Sequence, residues 1–149
     1  MNKTLSAILL LFISTGLVLG SPNVSVVSEN EHSKLRFASA QHEIIAILLQ
    51  EEEFDSVLPE LEKILSLNLQ GENEKLVVQE VWLISDQLVA GGKFELAHKI
   101  IDSALPRISG PGNQFTLQML KGKIYKEQGL LKEAIELYRS AQSVQKSGQ

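Results

Sequence analysis

Apolar residues in this chain recur at intervals of three and four, separated by short polar breaks. Phe37, Ala40, Ile44, Ile45, Leu48 and Leu49 make the first stripe, at helical spacing and not at the alternation of a strand. Glu51, Glu52 and Glu53 interrupt it, and Asp55 is expected to cap the next helix, which carries Val57, Leu58, Leu61, Ile64 and Leu65. Pro59 falls in that helix's first turn, where a missing N–H costs no intrahelical bond. The polar run Gln70 to Asn73 closes this pair. A second pair follows: Leu76, Val77, Val81, Ile84 and Leu88 lead to Gly91-Gly92, then Phe94, Ala97, Ile100, Ile101, Ala104 and Leu105 lead to Pro106. Beyond Ser109-Gly110-Pro111-Gly112, with Asn113 expected as a cap, Phe115, Leu117, Leu120, Ile124 and Tyr125 run to Gly129. Leu131, Ala134, Ile135, Tyr138, Ala141 and Val144 complete the third pair. The pattern predicts an all-α chain of three helical hairpins with no strand.

The pairs superpose. Phe54/Val57, Phe94/Ala97 and Leu131/Ala134 occupy matching places, and Val57, Ala97 and Ala134 lie 40 and 37 residues apart. Periods of that length point to stacked helical units, each burying one face only when a neighbour covers it.

In the stretch from Gly122 to Ala141, the residues Gly122, Tyr125, Gly129, Ala134, Tyr138 and Ala141 fall where the tetratricopeptide repeat places its small and aromatic residues. The third hairpin therefore resembles that family most clearly. The second keeps Leu88, Gly92, Phe94, Ala97 and Ala104, while the first has Glu52 in the glycine place and Val57 in the alanine place. The resemblance implies a right-handed α-solenoid of three antiparallel helical hairpins (TPR-like) spanning residues 37–149. It also implies a concave groove, lined by the first helix of each hairpin, that binds a protein or peptide partner. Carried over residue by residue, the partner-binding places are His42, Gln79, Trp82, Asp86, Met119, Lys123 and Lys126. Trp82 is the chain's single tryptophan, and reads either as a groove anchor or as filling between hairpins. Ala46 and Asp86 stand where the carboxylate-clamping members of the family have asparagine, so that activity is not expected.

Charge narrows the choice of partner. The net charge of −4 does not suit nucleic acid. It is unevenly spread: residues 29–86 carry thirteen acidic and four basic side chains, whereas residues 115–149 carry three acidic and six basic. The alternative function is thus a structural subunit that self-associates end to end through an acidic N-terminal and a basic C-terminal repeat. Residues 1–20 read as a signal peptide, with Lys3 ahead of a fifteen-residue apolar stretch from Leu5 to Leu19 and cleavage expected after Gly20. That stretch is shorter than the roughly 20 residues that span a bilayer, so a membrane contact would need the leader to stay attached. Residues 21–36 read as a flexible lead-in. The expected location is outside the cytoplasm, periplasmic or secreted.

Candidate chemistry is sparse. Cysteine is absent, and His32, His42 and His98 are scattered without metal-ligand spacing. The acidic run Glu51 to Glu53 reads as a solvated helix end. No catalytic residue, metal or cofactor is expected, and the chain is read as a non-enzyme.

Overall fold

A computed structural model describes residues 29–147, with side chains described through Ser143, and every regular element among them is helical. The helices are α1 (Glu29–Gln50), α2 (Val57–Leu65), α3 (Glu74–Ala90), α4 (Phe94–Ala104), α5 (Pro111–Glu127) and α6 (Leu131–Ser147), with single 3₁₀ turns at Phe54–Ser56, Gly71–Asn73 and Leu105–Arg107. The expected leader, residues 1–20, and the start of the lead-in lie outside the described residues. No helix among the described residues is long and apolar enough to cross a membrane.

Consecutive helices pack in pairs, α1 with α2, α3 with α4 and α5 with α6, giving hairpins 1, 2 and 3. The first helices also touch in series, α1 to α3 to α5, while α2 meets α4 and α4 meets α5. One continuous core runs from α1 through α5. Leu61, Ile84, Leu88, Ile100, Leu117 and Leu120 are among its fully buried side chains. Each such residue stabilises the fold by about 1.5–3 kcal/mol relative to exposure. Of the stripes read from the sequence, Phe37, Ala40 and Ile44 on α1 and Leu131 and Ile135 on α6 stay exposed instead.

The three hairpin turns are one structure repeated. In each, the second residue beyond the first helix adopts a left-handed backbone: Glu52 (φ 60°), Gly92 (φ 71°) and Gly129 (φ 79°). The amides that follow close the same ring. Glu53 N–H donates to Leu48 O, Lys93 N–H to Leu88 O and Leu130 N–H to Tyr125 O, at 2.9, 2.7 and 2.9 Å. Glu52, Gly92 and Gly129 themselves donate to Leu49, Val89 and Lys126. These are Schellman caps, which satisfy the last carbonyls of a helix and favour glycine at the left-handed place. Their spacing of 40 and 37 residues equals that of Val57, Ala97 and Ala134, all buried. Hairpin 1 holds the conformation with a glutamate, which costs roughly 1–2 kcal/mol of local strain.

Hairpin 3 shows why its small residues are needed. A Cβ on Gly122 would lie 2.5 Å from the Tyr138 ring, so α5 and α6 approach closely only because Gly122 has none. Ala134 and Ala141 are buried in the same hairpin.

Three local expectations are corrected. Helix α1 begins at Glu29, inside the expected flexible lead-in: Glu31 and Lys34 pair at 3.0 Å, Leu35 packs on the core, and Asn73 donates to Glu31 at 3.5 Å. Asp55 does not cap α2, because the chain enters through a 3₁₀ turn with Ser56 at the cap position. Asn113 does not cap α5. Pro111 starts that helix, where its fixed φ and missing N–H suit the first position, and Asn113 turns instead to Glu74.

Candidate interaction surface on the first helices

On α3, Gln79, Trp82 and Asp86 share one helical face; on α5, residues 37 places later, Thr116, Met119 and Lys123 share the matching one. Because α3 touches α5 directly, the two rows lie side by side. They are chemically joined. The Trp82 indole N–H donates to Asp86 Oδ2 at 3.2 Å, Lys123 Nζ donates to Asp86 Oδ1 at 3.0 Å, and the same ammonium stands 5.7 Å from the Trp82 ring centroid. Glu127 adds a longer contact to Lys123, at 3.9 Å. Trp82 is half-buried, with one side on the core and the other exposed, so it both fills space between hairpins and offers a surface. Gln79 and Lys126 are exposed, and Met119 is half-buried beside them.

His42 belongs elsewhere. Its ring is 3% exposed, and Nδ1 lies 2.7 Å from Glu80 Oε2, so it is removed from the partner-binding set. The pair ties α1 to α3 inside the fold. The hydrogen bond to Glu80 raises the His42 pKa above its usual 6.5, against the opposing effect of burial; the charges of Glu80 and Glu43 add to the rise. Glu80 Oε1 is buried and has no hydrogen-bond partner among the described residues.

Two polar residues that matter to the architecture were not singled out from the sequence. Glu80 sits among Val77, Val78, Val81 and Ile84, so its place in an apolar stripe was a usable signal for a buried, paired carboxylate. Glu74 gave no such signal, because a glutamate opening a helix ordinarily faces water. Here it is 2% exposed and accepts from Ser109 N–H (2.6 Å), Ser109 Oγ (2.8 Å), Gly110 N–H (3.0 Å) and Asn113 Nδ2 (2.5 Å). Burial opposes its charge most strongly, but those donors together hold the carboxyl below its ordinary value. It thereby fixes the start of hairpin 3 to the start of hairpin 2.

Among the described residues no group of three or more His, Asp or Glu is placed to hold a metal ion. The Trp82 surface instead combines an aromatic face, a thioether and a balanced ion pair. That combination suits adaptable contact with another chain. No family model matches this chain, and no curated protein or solved structure matches it either.

Proposed function

We propose that the three hairpins continue one another as a right-handed, TPR-like solenoid. Its concave side, formed by α3 and α5, binds a peptide or partner domain without catalysis. The observation that carries this reading is the joined surface of Trp82, Asp86 and Lys123, two stacked first helices presenting matching rows. The repeated turn register supports the solenoid, since like caps recur at near-equal intervals, as stacked equivalent units would require. The half-exposed Trp82 is the anchor; Gln79, Asp86, Met119, Lys123 and Lys126 surround it. The apolar stretch in residues 1–20, read from the sequence as a leader, supports a setting outside the cytoplasm, periplasmic or secreted.

The single tryptophan makes the surface its own reporter. Affinity capture from an envelope or secretory fraction, followed by titration with the retained protein, should shift Trp82 emission. Trp82→Ala should weaken binding by at least roughly 30-fold, the size of a 2 kcal/mol interface anchor, with helicity unchanged. Partners captured equally well by Trp82→Ala and by Lys126→Glu would refute this site.

A further inference from the structure

Every large apolar residue exposed among the described residues lies on hairpin 1 or hairpin 3, and none on hairpin 2. On α1 they are Phe37, Ile44 and Ile47; at the other end they are Leu130, Leu131 and Ile135. The repeat register explains both sets.

Phe37, Ala40, Ile44 and Ile47 form a single exposed stripe. Moving 40 residues along the chain, the same places in α3 hold Val77, Glu80 and Ile84, which are buried, and Gln87, which is half-buried. Hairpin 1 covers them: His42 reaches Glu80, and Ala38, Ile64 and Leu69 line the small space beside Val77. In α5 the corresponding Leu117 and Ile124 are buried, and Lys121 between them pairs with Asp102 of α4. This face of a first helix is therefore where the preceding hairpin docks. On α1 the same face is apolar and exposed.

The opposite end carries the complementary face. Leu131 and Ile135 correspond to Phe94 and His98 of hairpin 2, and to Phe54 and Leu58 of hairpin 1. In the chain's internal junctions these places press on the turn end of the next first helix. Phe54 lies against Gly91, and the His98 ring stacks on Tyr125 at 4.2 Å while its Nε2 meets Gln128 Oε1 at 2.7 Å. In hairpin 1 the places of Tyr125 and Gln128 belong to Leu48, in α1, and Glu51, just beyond it. Charges one helical turn away are complementary. Exposed Lys132 and Arg139 lie a turn either side of Ile135, with Glu136 adjacent. Exposed Glu43 and Glu51 lie a turn either side of Ile47, with Arg36 at the far end beside Phe37.

We propose that a second copy of this chain docks hairpin 3 onto the α1 stripe of the first, repeating the internal junction between molecules. Such a contact is heterologous. Each copy keeps one inserting and one receiving face, so association continues head to tail instead of stopping at a symmetric dimer.

The test is sedimentation velocity on the purified chain and on two variants at exposed positions, Ile47→Asp (receiving) and Ile135→Asp (inserting). The wild type should gain mass beyond a dimer as concentration rises, and lose it as salt screens the charged rim. Each variant alone should stay monomeric, while an equimolar mixture should form one dimer and nothing larger, because one intact face of each kind remains. Arg139→Glu should also weaken association, and Trp82→Ala should leave it unchanged, which separates this contact from the groove. A monomeric wild type at every concentration, including the case where residues 1–28 cover the stripe in cis, would overturn the proposal. So would self-association of either single variant, or a mixture that gives no dimer.

Discussion

Replacing Glu74 with glutamine keeps the side chain's shape and removes its charge. The carboxylate is 2% exposed and faces four donors: Ser109 N–H and Oγ, Gly110 N–H and the Asn113 amide. A glutamine retains one acceptor oxygen, which can still serve Ser109. Its NH2 then faces the Gly110 N–H, and only Asn113 can answer by turning its own oxygen inward. At least one buried donor is left unpaired, and the remaining bonds lose their charge assistance. Hydrogen bonds to charged groups contribute about 1.5–3 kcal/mol each, and the lost anion at the starts of α3 and α5 removes about 0.3–1 kcal/mol more. Glu74→Gln should therefore cost about 3 kcal/mol near neutral pH, or about 10 °C in melting temperature for a chain of this size. The pH dependence carries the sharper test. The folded pKa lies below the ordinary 4.5, so the stabilisation is full above 4.5 and is lost as pH falls through the lower folded value. Urea unfolding of wild type and variant should show a wide gap at neutral pH that closes under acid, where the native carboxyl is itself neutral. A gap under about 0.5 kcal/mol at neutral pH, or one that persists unchanged in acid, would refute the reasoning.

Other substitutions probe the turns, the close approach and the buried pair. Glu52→Gly should stabilise the protein by about 0.5–1 kcal/mol, as relief of left-handed strain outweighs the added chain entropy. Gly92→Ala and Gly129→Ala should destabilise it by a similar amount, although nothing lies within 4 Å of either new Cβ; thermal denaturation checks all three. Gly122→Ala should cost about 1–3 kcal/mol through overlap with the Tyr138 ring. A double-mutant cycle with Tyr138→Leu should recover part of that loss. Stability contributed by the His42–Glu80 pair should be complete below the ordinary histidine value of 6.5 and disappear as pH rises through the raised folded value. Glu80→Gln should remove that decline, which unfolding titrations across neutral pH would show.

How much could be read without coordinates differs from element to element. Residues at spacings of three and four fixed which segments are helical, because a stripe buried on one side leaves a 3.6-residue signature in any helix. Gly92 and Gly129 marked turns, because glycine takes positive φ at little cost, and the matching place of Glu52 was legible only through the repeat. Tyr138 over Gly122 was equally readable, a small residue opposite a large one. Trp82 was located correctly on α3, but its bonds to Asp86 and Lys123 join helices far apart in sequence. His42 was assigned to the groove, since periodicity gives the direction of a side chain on its own helix and not what lies opposite.

The sequence by itself determined the local code: six helical stripes, the breaks between them and the near-equal intervals that repeat, all set by interactions within a few residues. Tertiary structure decided which polar groups go inside. Glu74 and Glu80 carry no local mark separating them from solvated glutamates, and their burial depends on donors supplied by Ser109, Gly110, Asn113 and His42 some 35 to 39 residues away. A buried charge is tolerated only where such partners converge, and convergence is a property of the packed chain.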